Sequence, residues 1–310
     1  MQKNVFVFPG QGAQYLGMGK DLYEKYDVVK DVFKMASDAL DQDMKELIFN
    51  SSEKELELTK NTQPAVLTVS IAVMEVLKKE GITPDAVAGL SLGEYAALVT
   101  AGILDFKEAV KIVRKRGQFM QNEVPVGVGA MSAILALDKG PIKEACKEAS
   151  DLGVCEVANY NCPGQIVIAG KKEAVEKANE ICLEKGAKKA ILLPVSAPFH
   201  TSMLKGAGKK LDNILKDVDF NKGEIPVIAN YNAEFVNSKD EVRDLLVKQV
   251  SNPVLWQDTI EKFIDKGYNT FIEAGPGKSL SKFIKRVSRK VNILSVENEK
   301  TLKRTLKKVK

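Results

Sequence analysis

The chain has 310 residues, with 46 Lys and Arg against 41 Asp and Glu, for a net charge of +5. At roughly 150 residues per domain, that is room for two domains, or for one large domain carrying an insertion. The 45% apolar and 28% charged content excludes a disordered chain, a fibre and a membrane bundle. The weak positive charge, with only 6% aromatics, argues against a nucleic-acid partner.

Asn4 to Phe8 reads as a short buried strand stopped by Pro9-Gly10. Its apolar run, Val5 to Phe8, is too short for a signal core or a membrane span, so a cytoplasmic protein with no membrane partner is expected. Gly10-Gln11-Gly12 opens a polar loop, but Tyr15 stands where a dinucleotide fingerprint needs its third Gly. Gln63-Pro64 opens an apolar-periodic helix to Glu80, with Pro64 in its first turn and Gly81 closing it. Asp85 to Leu90 reads as a second strand, followed by helices over Gly93–Ala101 and Phe106–Gln121. This order predicts an α/β unit with a mostly parallel sheet.

The junction between that second strand and its helix is Gly89-Leu90-Ser91-Leu92-Gly93, which matches the G-x-S-x-G nucleophile elbow. The flanking glycines let the backbone crowd around Ser91. Ser91 then heads a helix, where free N–H groups and the dipole favour a developing oxyanion. The helix leaving Ser91 and the one returning from Phe106 are each about 15 Å long to the level of Arg116, at 1.5 Å per residue. Arg116 is thus either a fork for a substrate carboxylate beside Ser91 or a solvated member of the run Arg114-Lys115-Arg116.

From about Ala130 the pattern changes. Met131–Leu137 reads as a strand, Pro141–Ser150 as a helix, Val154–Asn159 and Gln165–Ala169 as strands, Lys172–Lys185 as a helix and Lys189–Val195 as a strand. That is βαββαβ, the ferredoxin-like order. The expected architecture is a large α/β-hydrolase-like unit over residues 1–127 and 197–310, with a ferredoxin-like unit inserted at 128–196. The large unit resumes near Ser196. Cys146, Cys155, Cys162 and Cys182 contain no C-x-x-C spacing, which argues for reduced thiols and against a metal site.

The only histidine is His200, in Ala197-Pro198-Phe199-His200-Thr201. A serine nucleophile needs a base, so the candidate is forced. It lies where the inserted unit hands back to the large one, and such junctions commonly line clefts. The order Ser then His, with no orienting acid in evidence, departs from the α/β-hydrolase triad. A backbone carbonyl can hold the imidazole tautomer instead. Pro226–Asn230 and Thr270–Glu273 read as further strands of the large sheet, and Asp240–Gln249 and Asp258–Lys266 as helices. Gly277-Lys278-Ser279 mimics the end of a P-loop, but Ile272 replaces the required Gly. The basic run Lys300 to Lys310 reads as a frayed end.

Taken in order, Phe8 to Gly12, Thr62 to Ala65, Gly89 to Glu94, Arg116-Gly117, Asn161 to Gln165, Pro198 to His200, Asn252 to Val254 and Glu273 to Gly277 resemble the malonyl-CoA:acyl carrier protein transacylase family over essentially the whole chain. The resemblance implies a Ser91–His200 dyad that takes malonyl from malonyl-CoA and passes it to acyl carrier protein in fatty-acid synthesis. It implies an oxyanion hole from the backbone N–H groups of Gln11 and Leu92, and Arg116 on the malonyl carboxylate. It also implies the Gln249 main-chain carbonyl on His200, and no metal or cofactor, coenzyme A thioester being a substrate. Leu90 stands where the family commonly has His, which bears on acyl selectivity. Phe199 and Leu92 flank the reacting group and are expected to favour malonyl over methylmalonyl. Because acyl carrier protein is acidic, Lys188, Lys189, Lys285 and Arg286 are candidates for its docking, each equally readable as solvated charge. A monomer is expected. The competing readings are a serine esterase or thioesterase acting on an acidic acyl ester, and a non-catalytic binding module.

Overall fold

Four strands, Asn4–Phe8 (β1), Ala86–Gly89 (β2), Thr270–Ala274 (β7) and Asn292–Val296 (β8), form a wholly parallel sheet in the order β2-β1-β7-β8. The computed structural model describes residues 2–195 and 197–309. Ser196, the expected point of return to the large unit, lies outside them, as does Lys310. β1, β2 and β7 are buried along nearly their whole length, which is why they read as continuous apolar runs and not as alternating ones. The register pairs Phe8 with Gly89 and Val7 with Glu273. The carboxyl ends of β1, β2 and β7 therefore finish side by side, the edge where open α/β sheets place ligands.

A second, antiparallel sheet contains Gly129–Leu135 (β3), Cys155–Cys162 (β4), Gln165–Lys171 (β5) and Lys189–Leu192 (β6) in the order β4-β5-β3-β6. With helices Lys139–Glu148 and Lys172–Glu184 between its strands, it has the ferredoxin-like βαββαβ order. Alternation divides its residues. Ala130, Ile134 and Ile168 pack under the two helices, while Met131, Ala133 and Val167 face the core of the large unit. All four cysteines are free and buried. Among the described residues no His/Cys/Asp/Glu group could hold a metal, and no helix is long and apolar enough to cross a membrane.

Three sequence expectations are corrected, and one strand goes unpredicted. The helix expected to open at Gln63 starts at Thr59 and runs to Lys79, with Pro64 inside it. Its first turn is anchored by side chains: Asn61 Nδ2 donates to Glu55 O (2.8 Å) and Thr62 Oγ1 to Leu56 O (2.6 Å). Pro226–Asn230 is not a ladder strand. It touches the sheet through one parallel bridge, Val87 to Val227, and then turns back so that Ile228 meets Phe235. Pro226 has no N–H to extend the pairing. β8 was not anticipated, because Asn292–Val296 is short and follows a charged loop. The C-terminal run is not frayed over its described length. Glu299–Val309 is a helix that buries Thr301, Leu302 and Thr305, and the Glu299 N–H donates to Asp21 Oδ2 (2.7 Å).

Candidate active site

Beyond β2 the chain makes the sharp turn that the elbow pattern requires. Ser91 has φ +53°, in the left-handed region, followed at once by the helix Gly93–Thr100. Such a backbone costs on the order of 1–3 kcal/mol and persists only where its surroundings enforce it. Here they do. A Cβ on Gly89 would lie 1.9 Å from the Gly93 carbonyl, and one on Gly93 would lie 2.1 Å from Phe8 O. Asn230 staples the turn from outside, accepting from Ser91 N (2.5 Å) and donating to Gly89 O (2.6 Å). The near-strand 226–230 thus delivers a side chain to the elbow instead of a fifth strand to the sheet.

His200 is buried and also has a positive φ, +61°. Its Nδ1 lies 2.8 Å from Gln249 O and its Nε2 2.7 Å from Ser91 Oγ. A carbonyl can only accept, so Nδ1 carries the proton and Nε2 presents its lone pair to the serine hydroxyl. Burial, and after it the nearby Arg116 charge, push the imidazole pKa down to about 4, against the hydrogen bonds to the Gln249 and Asn252 backbones. The imidazole is therefore neutral through the whole physiological range. Protonation of His200 would remove the acceptor, so a reaction that uses it as a base should fail as pH falls through about 4. We expect the acid limb of kcat/KM to lie well below 6.5, the ordinary imidazole value. A pH–rate profile with its limb at 6 to 7 would contradict this environment for His200.

Arg116 is 1% exposed, so it is not a solvated member of the basic run. Its neighbour Lys115 is the exposed one. A Cβ on Gly117 would lie 2.7 Å from Thr59 O, which shows how closely the Arg116 helix is pressed against the start of the Thr59 helix. Arg116 Nη1 donates to Gln63 Oε1 (2.9 Å), and Nη2 to Gln249 Oε1 (2.8 Å) and to Ser91 Oγ (3.2 Å). The guanidinium carbon sits 5.6 Å from the Tyr95 ring centroid.

These groups open onto a cavity of about 280 Å³ between the two sheets. Gln11, Leu90, Leu92 and Phe199 line it from the large unit, and Asn161 and Gln165 from the small one. Among the described residues, the backbone N–H groups of Gln11 and Leu92 have no protein acceptor. Leu92 caps the start of a helix, where such N–H groups are left over. Phe199 both lines the cavity and packs into the core. Lys188, Lys189, Lys285 and Arg286 are all exposed. Arg286 reaches the cavity rim, donating to Gln165 Oε1 (3.1 Å). Lys188 and Lys189 stand at the start of β6, whose continuation, Leu193 and Val195, lines the cavity.

Sequence reasoning missed the layer behind these residues. Glu94 Oε2 accepts from Asn230 N (3.1 Å) and Gln249 Nε2 (2.7 Å), and Gln249 Nε2 also donates to Ser91 O (2.9 Å). Burial pushes the Glu94 carboxyl up to about 7, against these bonds and the Arg116 charge. No spacing pattern announces Asn230 or the Gln249 side chain. Glu94 could have been noticed only as an acid fixed to the elbow.

The family model described as "Acyl transferase domain" matches residues 5–308. The chain is similar to the malonyl CoA-acyl carrier protein transacylase of Bacillus subtilis, 46% identical over 311 residues, which cover 100% of this chain and 98% of that one. It is also similar to the enzyme of the same name from Escherichia coli strain K12, 45% identical over 93% of each chain. Among solved structures, the Clostridium perfringens malonyl CoA-acyl carrier protein transacylase superposes with a TM-score of 0.96 at 46% identity, covering 99% of this chain and 97% of that one. A malonyl-transacylase in complex with a type II polyketide acyl-carrier protein superposes with a TM-score of 0.97 at 41% identity, covering 99% and 100%.

Proposed function

The chain belongs to the acyl transferase family, among the malonyl-CoA–acyl carrier protein transacylases, and from that membership we propose that it carries malonyl through an ester on Ser91. The chain is an acyltransferase that moves malonyl to acyl carrier protein. The route through Ser91 is the finer reading. In its first half, Ser91 Oγ gives its proton to His200 Nε2 and attacks the thioester carbon of malonyl-CoA. The oxyanion forms against the free N–H groups of Gln11 and Leu92. Collapse breaks the C–S bond, and the departing coenzyme A thiolate takes the proton from His200. In the second half the phosphopantetheine thiol of the carrier gives its proton to His200 and its sulfur attacks the ester. The C–O bond breaks, and Ser91 Oγ recovers the proton. Acyl exchange between thiols needs no redox step and no metal or organic cofactor. The Gln249 carbonyl holds His200 in the required tautomer throughout.

One observation carries this reading: His200 Nε2 and the buried Arg116 Nη2 converge on the same Ser91 Oγ, at 2.7 and 3.2 Å. The dyad supplies nucleophile and base. The cation beside it suits an acyl group that ends in a carboxylate. Phe199 and Leu92 flank the acyl position, and a filled wall there disfavours an α-methyl by about 10- to 100-fold. The cleft is complete within one chain, which supports action as a monomer. Exposed Lys188, Lys189, Lys285 and Arg286 supply positive charge for an acidic carrier.

The test is coenzyme A release from malonyl-CoA with and without carrier. Sustained release should require carrier protein, with at most one turnover in its absence. Continuous release into water alone would identify a thioesterase instead.

A further inference from the structure

Arg116 is a buried cation whose partners are all neutral. Among the described residues it donates to Gln63, Gln249 and Ser91 and lies against Tyr95, and it makes no ion pair. A carboxylate is nonetheless only one amide away. Gln249 Oε1 accepts from Arg116 Nη2 at 2.8 Å, while Gln249 Nε2 donates to Glu94 Oε2 at 2.7 Å. Glu94 is itself buried and is held by Asn230 N. A primary amide offers an acceptor on one side and donors on the other. It can therefore satisfy a cation and an anion at once while keeping them apart. Direct contact between Glu94 and Arg116 would make a buried ion pair, and the guanidinium would then meet the substrate already neutralised.

We infer that the Gln249 side chain is a specificity-determining spacer, which keeps Glu94 from pairing with Arg116 and so leaves the guanidinium's charge for an acyl group bearing a carboxylate. This is distinct from the Gln249 main-chain carbonyl, which faces His200. The inference rests on the proposed role of Arg116 towards malonyl.

The test compares malonyl and acetyl transfer from their coenzyme A thioesters in variants of the full chain. Gln249→Met keeps the length and the main-chain carbonyl but removes the amide. Its malonyl-to-acetyl ratio of kcat/KM should fall about tenfold or more, and the double variant Gln249→Met/Glu94→Gln should regain most of the loss. A merely structural amide would lower both substrates together, leaving the ratio unchanged and giving no recovery in the double variant. That result overturns the inference. Glu94→Gln alone keeps a carbonyl oxygen for its two donors and removes the charge. Its ratio should equal or exceed that of the wild type. A ratio below wild type overturns the inference even if Gln249→Met does not fold. Arg116→Ala, measured alongside, separates the two levels. If it leaves the ratio unchanged, the role of Arg116 fails and the spacer falls with it. If it shifts the ratio and Gln249→Met does not, only the spacer fails.

Discussion

Ser91→Ala should reduce carrier-dependent malonyl transfer by about 10⁴-fold or more, to a rate indistinguishable from background. Removing the nucleophile of a Ser–His enzyme costs on the order of 10⁴- to 10⁶-fold, because the remaining groups then have no covalent step to assist. The substitution removes one oxygen and leaves the rest of the site in place. Asn230 still binds the residue 91 N–H, Gln249 still binds its carbonyl, and Arg116 keeps Gln63 and Gln249. Alanine inherits the φ of +53°, so the turn is no more strained than in the wild type. The folded variant should therefore still bind malonyl-CoA while transferring nothing. A variant retaining a tenth of the wild-type rate would mean that another group carries the acyl.

Arg116→Ala should have the second largest effect, and a selective one. Truncating one member of a buried charge pair costs about 2–5 kcal/mol, or roughly 30- to several-thousand-fold in kcat/KM for malonyl. Acetyl has no carboxylate to lose. Its transfer should change far less, and the preference should move towards the neutral acyl group. The ratio of the two is the useful readout, because any general disturbance of the site from orphaning Gln63 and Gln249 affects both substrates and cancels. An unchanged malonyl-to-acetyl ratio would reduce Arg116 to a structural cation.

Much of this site was legible in the sequence because its constraints are local or exclusive. The elbow is local: only glycine fits at 89 and 93, where any Cβ would fall about 2 Å from neighbouring backbone atoms, so the pattern fixes the geometry. His200 is exclusive, being the only imidazole in the chain. Helix lengths placed Arg116 level with Ser91 but left open whether it was a fork at the site or a solvated charge, a choice that its burial decides. The parallel strands were legible as apolar runs, and the ferredoxin-like order as an alternation of periods. What stayed hidden depends on contacts between distant segments. Asn230 reaches an elbow 139 positions away, and the Gln249 amide reaches Ser91 across 158. Neutral amides in unremarkable stretches carry no pattern. The early start of the Thr59 helix was masked by Pro64, since the Asn61 and Thr62 side chains make up for a poor helix opening. The terminal helix was hidden by its lysines, which surround a narrow stripe of Thr301, Leu302 and Thr305.

The central claim is that malonyl rests on Ser91 between its two thiol carriers. Its most direct test is mass spectrometry of the full chain, quenched in acid after brief exposure to malonyl-CoA without carrier, followed by peptide mapping. One malonyl group per chain is expected, on the peptide containing Ser91, disappearing when acyl carrier protein is added before the quench. An unmodified chain under conditions of active transfer, or a label on Cys146, Cys155, Cys162 or Cys182, would contradict it.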